Sequence, residues 1–151
     1  MAPEDLEPLT DLWTQGWRDG HASIVPEALL DLRTRDSFHA RLKSAPDIVQ
    51  VAGPVGAPEA FIRLKGDELD QFYIHPSARG SGLAHRLMDA AENALRGQGF
   101  TDVWLACSVG NDRAARFYEK CGWRNAGVRR LGVETLSGPF ELDVWRYEKA
   151  L

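Results

Sequence analysis

A glycine-bearing turn, placed between an apolar stretch and a helical pattern, has the residue types for phosphate binding. Glycines have no side chain and let the backbone approach a ligand closely. A helix that begins just after such a turn presents free N–H groups and the positive end of its dipole to an anion. The sequence therefore predicts a phosphate or pyrophosphate site here. The turn consists of Arg79, Gly80, Ser81, Gly82, Leu83 and Ala84.

Two familiar glycine motifs do not fit this turn. The P-loop requires a Lys directly after its last Gly, and here Leu83 follows Gly82. The dinucleotide fingerprint requires a third Gly where His85 stands, although Asp102 lies about as far downstream as that motif expects. The match to the dinucleotide fingerprint is therefore poor, and a nucleotide-binding oxidoreductase remains one hypothesis for the function.

A second stretch, residues 111–121, has a helical pattern with polar residues on one face. Asn111 and Tyr118 are two turns apart and fall on nearly the same side of the helix. Ala114 lies between them and is small, so a ligand or the sheet can approach closely. This helix is therefore the second candidate for a site wall.

Together the two stretches resemble the signatures of the GNAT superfamily of N-acetyltransferases, which use acetyl-CoA. The pattern Arg79-x-x-Gly82-x-Ala84 resembles its Gln/Arg-x-x-Gly-x-Gly/Ala signature. Residues 111–123 resemble its Asn-x-x-Ala-x-x-Phe-Tyr-x-Lys-x-Gly-Phe segment, with a Trp in place of the last Phe. The resemblance covers about residues 68–125, and the ends of the chain are related to the family by position alone.

The resemblance implies the GNAT acyl-CoA acyltransferase fold, an α/β (α+β) architecture. It has a mixed central sheet of about six to seven strands flanked by helices. The sheet would splay between the strands expected at 68–74 and 101–109, and CoA would enter the gap. The chain 1–151 would then be a single GNAT domain.

The resemblance also implies how acetyl-CoA would be held. The backbone of Ile74 would pair with the pantetheine arm, and Asn111 would hydrogen-bond to it. Tyr118 would stand near the sulfur and protonate the departing thiolate. No metal is needed for this chemistry, and none is predicted. The residues expected to contact acetyl-CoA are Phe72, Ile74, Arg79, Gly80, Ser81, Gly82, Leu83, Ala84, Asn111, Arg113, Ala114 and Tyr118.

The resemblance implies a place for a general base, since some members of the family have a carboxylate base on the strand that precedes the glycine turn. Glu68 and Asp70 are the candidates, and in a regular strand both would share a face with Phe72 and Ile74. Exposed carboxylates are common, so both residues also suit the surface of a hairpin, with water carrying the proton.

The N-terminal region would shape the acceptor pocket in the resembled fold. A first helix is predicted over 3–19 from an apolar stripe that includes Trp17. Trp17 and His21, with Asp70, are the predicted acceptor-binding residues. The alternatives are that Trp17 belongs to the core and that His21 caps the helix in solvent. His21 and His75 are further candidates for the base.

Periodicity and turn residues predict the elements that must position these groups. A short helix is expected through Leu32 and another after Thr34 or Asp36. Three strands in a meander then lead into the glycine turn, and the helix that follows it ends near Gly97. The other predicted elements are strands at 47–52, 59–64 and 68–74, a strand at 101–109, a helix at 111–121 and a closing hairpin of 123–133 with 140–147.

Charge is unevenly distributed along the chain. The net charge is −4, which argues against a nucleic-acid partner. Residues 1–36 carry eight Asp and Glu against three Arg, whereas residues 79–130 carry nine Lys and Arg against five Asp and Glu. An acidic acceptor end for a cationic amine and a basic end for anionic CoA would fit this division. Ordinary solvated surface is the alternative.

Length and composition bound the remaining possibilities. At 151 residues the chain suits one domain with a substantial core. Cys107 and Cys121 form no disulfide framework and no metal spacing. The acidic N-terminus resembles no secretory signal, and no apolar run is long enough to cross a membrane. A cytoplasmic protein without a membrane partner is therefore expected, and a homodimer is compatible with the sequence.

The leading hypothesis is an acetyl-CoA-dependent N-acetyltransferase. It would move an acetyl group to a primary amine of a small molecule, peptide or protein, by direct attack in a ternary complex. The alternative on the same fold is an acyl-CoA-binding protein without turnover. Asn111 and Tyr118 favour the enzyme.

Overall fold

One mixed β-sheet runs through the computed structural model, which describes residues 1–151. In chain order its strands are β1 (Val49–Ala52), β2 (Ala60–Lys65), β3 (Glu68–Ile74), β4 (Asp102–Ser108), β5 (Arg124–Val133) and β6 (Phe140–Ala150). Within the sheet they lie in the order β1-β2-β3-β4-β6-β5. The six strands confirm the predicted mixed sheet. This largely antiparallel order is not the doubly wound parallel sheet that the dinucleotide fingerprint requires.

Five α-helices flank the sheet. They are α1 (Leu6–His21), α2 (Glu27–Leu32), α3 (Arg35–Ser44), α4 (Leu83–Gly97) and α5 (Asp112–Lys120). Thr34 begins α3 as an N-cap, because its hydroxyl accepts the N–H of Ser37 at 3.1 Å. None of these helices is both long enough and apolar enough to pass through a membrane.

Apolar side chains form a core on each face of the sheet. On one face α4 packs against the strands through its i, i+4 row, and Leu87, Ala91 and Leu95 are buried there. On the other face α1 and α3 meet the sheet, with Trp13 and Phe38 fully buried and their rings 5.0 Å apart. The sheet therefore holds α4 and the α1–α3 layer on opposite sides.

The strands β3 and β4 separate almost as soon as they meet. They pair in parallel at a single position, Glu68 with Trp104. Beyond it β4 continues to pair with β6, from Asp102 to Ser108, while β3 follows β2. The gap therefore opens toward the ends of β3 and β4 that lead into α4 and α5. The predicted splay between these two strands is confirmed.

A β-bulge interrupts β3 in its first half. Arg63 of β2 is opposite Gln71, but the next residue, Leu64, is opposite Leu69. Asp70 is therefore the extra residue of the bulge, without a partner in the register. A bulge bends the strand and changes the direction of the side chains around it.

The prediction that Glu68 and Asp70 share a face with Phe72 and Ile74 is wrong because of this bulge. Phe72 and Ile74 pack with the core on the α4 side. Asp70 instead pairs with buried Arg63, whose guanidinium lies on the α1 side of the sheet. Local alternation around the bulge places Glu68 on that same side. The carboxylates thereby face a different set of neighbours from the one a regular strand would give them.

Candidate active site

A cavity of about 1160 Å³ follows the gap between β3 and β4. It is lined by the turn before α4, the start of α5, α1, the residue after α2 and the end of β5. Two predicted site residues, Ser81 and Leu83, do not line it. The predicted residues that line it are Trp17, His21, Glu68, Asp70, Phe72, Ile74, Arg79, Gly80, Gly82, Ala84, Asn111, Arg113, Ala114 and Tyr118.

The glycine turn presents N–H groups that have no partner in the protein. The N–H groups of Gly82, Ala84 and His85 donate no hydrogen bond, because the first intrahelical bond of α4 is that of the Arg86 N–H to the Gly82 carbonyl. Gly82 has a φ of +82°, a conformation that side chains rarely permit. The start of α4 is therefore an open anion cradle, with Arg79 on the same wall.

Ser81 stabilises this turn rather than lining the cavity. Its hydroxyl donates to the Ala78 carbonyl and accepts the Leu83 N–H at 3.3 Å. Upstream, His75 accepts the Ser77 N–H through Nδ1 at 3.1 Å. His75 does not line the cavity, so it serves the turn and is not placed to act as a base.

Helix α5 forms the wall opposite β3. Asn111 caps the helix by accepting the Ala114 N–H at 3.4 Å, while its side-chain nitrogen remains available to donate. The hydroxyl of Tyr118 has no hydrogen-bond partner in the protein, although the side chain lines the cavity and is half-buried. Burial raises the pKa of Tyr118 far above its usual range. Tyr118 is therefore a protonated donor at ordinary pH, with its proton uncommitted.

Cys107 is the thiol on the cavity wall, and it is buried. Burial raises the pKa of the Cys107 thiol to about 12. The thiolate is the nucleophilic form of cysteine, and very little of it exists at neutral pH. The second thiol, Cys121, does not line the cavity. The arrangement thus favours direct transfer between two bound substrates over transfer through a cysteine.

The two candidate bases occupy different environments. Burial, and secondarily the charge of Asp70, raise the pKa of Glu68 to about 7. Asp70 forms an ion pair with Arg63, whose Nε lies 3.4 Å from its Oδ2. A carboxylate that titrates near neutral pH suits a general base, whereas one committed to an arginine does not. Geometry and charge therefore favour Glu68.

Trp17 and His21 form a stacked pair on the cavity wall that α1 provides. Their ring centroids are 4.8 Å apart, and His21 Nδ1 lies 2.8 Å from the Trp17 carbonyl. A carbonyl can only accept, so Nδ1 carries the proton. Burial, opposed in part by this hydrogen bond, lowers the pKa of His21 to about 4. His21 is therefore neutral and weakly basic, and Trp17 is both core and cavity wall.

The expected acidic lining of the acceptor end is wrong. Of the acidic residues in segment 1–36, only Asp19 lines the cavity. Glu7 and Asp11 instead bind Arg35 on the outer surface, each at 2.7 Å. Seven of the eight acidic residues of this segment are exposed, so its negative charge belongs mainly to the solvated surface, which was the alternative interpretation.

Sequence reasoning missed two arginines of the cavity wall. Arg33 and Arg41 are only 5% and 3% exposed. The sequence position of Arg41 indicated that it could be buried. Arg41 lies directly before Leu42 and three residues after Phe38, within the apolar stripe of α3. A charged residue at a core position is rare unless it has a partner or a ligand.

Comparison with known proteins identifies the family. The model of the acetyltransferase (GNAT) family matches residues 7–123. The chain belongs to the GNAT acetyltransferase family. The predicted membership of this family is thereby confirmed.

Several named proteins are similar to this GNAT chain. It is 27% identical over 139 residues to the peptidyl-lysine N-acetyltransferase YjaB of Escherichia coli, covering 92% of this chain and 88% of that protein. It is 37% identical over 76 residues to an uncharacterized N-acetyltransferase of Mycobacterium tuberculosis, covering 46% of this chain. That match spans about half of the mycobacterial protein, 49% of its length.

Solved structures share the fold at low sequence identity. A GCN5-related N-acetyltransferase from Rhodopseudomonas palustris matches all of this chain and 92% of its own, with a TM-score of 0.76 and 24% identity. A PaiA N-acetyltransferase from Thermoplasma acidophilum, solved with coenzyme A, matches all of this chain and 96% of its own, with a TM-score of 0.68 and 18% identity. These likenesses confirm the GNAT fold.

Proposed function

We propose that this protein is an acetyl-CoA-dependent N-acetyltransferase that acts on a primary amine by direct attack in a ternary complex. One observation carries the proposal. A single cavity joins the unpartnered N–H groups at the start of α4 to the free hydroxyl of Tyr118 and to Glu68. It thus combines an anion cradle, a proton donor and a carboxylate that titrates near neutral pH.

The donor would lie along the gap between β3 and β4. The cradle at Gly82 and Ala84 suits the pyrophosphate of CoA, because both N–H groups are free. From Phe72 to Ile74 the edge of β3 that faces the gap has no partner strand. A free strand edge can pair with an extended chain such as the pantetheine arm. Asn111, across the gap on the wall of α5, has an amide available to donate to it.

The reaction needs proton transfers at the amine nitrogen and at the sulfur, and a residue of this cavity can serve each atom. Acetyl-CoA supplies the acetyl group as a thioester. Glu68 accepts a proton from the acceptor ammonium, directly or through water, and the free amine attacks the thioester carbonyl. Tyr118 donates its proton to the sulfur as the carbon–sulfur bond breaks, and its phenolate regains a proton from the adduct nitrogen, which loses this second proton as the amide forms. The products are the acetylated amine and CoA with a free thiol, and the proton taken by Glu68 is released to solvent.

The runner-up is an acyl-CoA-binding protein without turnover. Incubation with acetyl-CoA and a panel of primary amines, with detection of free thiol, separates the two functions. We expect amine-dependent thiol release and no comparable release without an amine. Stabilisation by acetyl-CoA without thiol release for any amine would favour the runner-up. Stabilisation by NAD and not by acetyl-CoA would favour an oxidoreductase.

The lysine amine of a peptide belongs in that panel because of the name of the E. coli relative. Small amines belong in it because the cavity is deep and partly apolar. The free thiols of Cys107 and Cys121 fit a reducing compartment such as the cytoplasm, and we propose that location.

Replacing Glu68 with Gln should abolish the rise of kcat/KM with pH that the unchanged protein should show near neutral pH. In the unchanged protein kcat/KM should rise with pH and level off above about 7, because the base must be ionised. In Glu68→Gln we expect kcat/KM to be roughly 10–100-fold lower at pH 8 and no longer to rise with pH in this way. The measurement is kcat/KM from pH 5.5 to 9. Glu141→Gln is the control, since Glu141 is exposed and does not line the cavity.

Stability gives an independent readout of the same group. A carboxyl whose pKa is raised by folding contributes stability below its unfolded pKa and loses it as pH rises through the folded value. Between pH 4.5 and 7 the unchanged protein should therefore lose stability that Glu68→Gln keeps. The proposal that Glu68 is the base would be wrong if two results were found together. The Tm difference between the unchanged protein and Glu68→Gln would be constant across this pH range, and both proteins would show the same dependence of kcat/KM on pH.

A further inference from the structure

On the α1–α3 side of the sheet, the cavity wall and the core behind it contain more buried positive charge than buried negative charge. Arg33 and Arg41 line the cavity and, like Arg63 behind them, are at most 5% exposed, and Lys65 lies beside them. Their carboxylate partners are Asp70 and Glu134, and the nearby Glu68, which is in no ion pair, is only partly ionised near neutral pH. Buried charges are costly without a partner, so this imbalance requires an explanation.

Glu134 is shared and cannot neutralise every cation. Its carboxylate lies 3.3 Å from Arg41, 3.7 Å from Arg63 and 3.4 Å from Lys65. Asp70 is the second partner of Arg63. These two carboxylates are therefore already shared by three cations.

Arg33 has no carboxylate within ion-pair distance. Its Nη1 donates to the backbone carbonyl of Glu134, and its buried Nε donates to nothing in the protein. The ring of Trp17 lies 5.9 Å from the guanidinium, a cation–π contact that supplies no counter-charge. Burial, and secondarily the charge of Arg41, lower the pKa of Arg33 to about 10. Arg33 is therefore still charged at neutral pH, and it lines the cavity.

We propose that the acceptor is a small amine that also carries an anionic oxygen group, a carboxylate or a phosphoryl group, and that Arg33 and Arg41 bind this anion. The planar guanidinium matches either group through two parallel N–H bonds. The proposal rests on the proposed acetyl transfer and adds the chemical class of the acceptor.

The position of the arginines decides which substrate the anion belongs to. The donor cradle at Gly82 lies at the start of α4, which packs on one face of the sheet, whereas Arg33 contacts Trp17 of α1, which packs on the other face. Glu68 lines the wall of the same cavity, on the side of the sheet that faces the arginines. An amine held beside Glu68 with its anion on Arg33 therefore occupies the acceptor part of the cavity.

Matched acceptors test this proposal on the unchanged protein. Each set consists of an amino acid, its amide and its decarboxylated amine. One set is leucine, leucinamide and 3-methylbutylamine, and a longer set is 4-aminobutyrate, 4-aminobutanamide and propylamine. Aminoalkyl phosphonates of the same lengths form the phosphoryl arm. For at least one set we expect kcat/KM to be about tenfold or more higher for the anionic member, the size of a hydrogen bond to a charged group. Comparison of kcat/KM between the carboxylate and phosphonate acceptors then shows which anionic group the site prefers.

Variants then assign the preference to Arg33. Arg33→Met should abolish the advantage of the anionic member, mainly through KM, and Arg33→Lys should keep part of it as a point charge. Arg35→Met is the matched control. Arg35 is two residues away but 41% exposed, and it binds Glu7 and Asp11 outside the cavity. It should keep the full preference.

The failures of the two proposals are distinguishable. If the amide and the simple amine, or a neutral lysine peptide, are acetylated as well as the anionic members, or if Arg33→Met keeps the preference, the anionic acceptor is wrong while acetyl transfer stands. If acetyl-CoA neither raises the Tm nor releases thiol with any amine, the proposed function itself fails. The preference of the unchanged protein decides the matter even if Arg33→Met does not fold.

Discussion

Replacing Tyr118 with Phe should lower kcat by about 10²–10⁴-fold and leave acetyl-CoA binding nearly unchanged. The hydroxyl lines the cavity, donates to no protein group and keeps its proton because burial raises its pKa. The substitution removes that hydroxyl and little else. Loss of kcat without loss of donor affinity is the pattern of an interaction made in the transition state. Single-turnover rates and the Kd for acetyl-CoA by calorimetry measure the two quantities.

Tyr147 provides the matched control for this substitution. Its ring lies 5.9 Å from that of Tyr118, but its hydroxyl donates to Glu119 at 3.0 Å and the residue does not line the cavity. Tyr147→Phe should therefore lower the Tm and keep kcat. Full kcat in Tyr118→Phe, at every pH tested and with chemistry rate-limiting, would show that the Tyr118 hydroxyl only supports the fold or orients the thioester.

The features that the sequence predicts well are those that local residues determine. Pro76 ends β3, and Gly82 adopts its positive φ just before the apolar row of α4 begins. Asn111 begins α5 through its own side chain. Each of these depends on neighbours within a few positions, so the turn, both helices and the gap between the strands follow from the sequence pattern and the family resemblance.

The bulge at Asp70 could not be predicted in this way. It exists because Leu64 pairs with Leu69 while Arg63 pairs with Gln71, and that register depends on two strands together. A one-residue change in register moves every following side chain to the other face. The pattern of β3 alone therefore placed its carboxylates on the wrong face.

The charge of the cavity wall on the α1–α3 side of the sheet also depends on contacts between distant residues. Arg33 meets the backbone of Glu134 across 101 positions of sequence. Arg41 meets the carboxylate of the same residue across 93 positions. Summing charge over segment 1–36 cannot anticipate such pairs, because burial in three dimensions decides which charges line the cavity.

Replacing Gly82 with Asp should abolish the thermal stabilisation by acetyl-CoA. Gly82 has a φ of +82°, and a Cβ there would lie 3.2 Å from Nη1 of Arg86. The new carboxylate would enter the cradle, repel phosphate and compete for the free N–H groups of α4. Loss of two hydrogen bonds to a charged group, at about 1.5–3 kcal/mol each, corresponds to roughly 100-fold or more in affinity. Calorimetric titration with acetyl-CoA measures it.

Gly99→Asp separates this effect from strain and from charge. Gly99 also has a positive φ, +92°, with nothing within 4 Å of a Cβ, and it does not line the cavity. Both variants should lose stability because Asp is strained at such a φ. Only Gly82→Asp should lose acetyl-CoA, and Gly82→Ala should bind it with intermediate affinity because it adds strain without charge. Unchanged affinity for acetyl-CoA in a folded Gly82→Asp protein would show that the donor does not bind at the start of α4. A phosphate could not share these N–H groups with the new carboxylate.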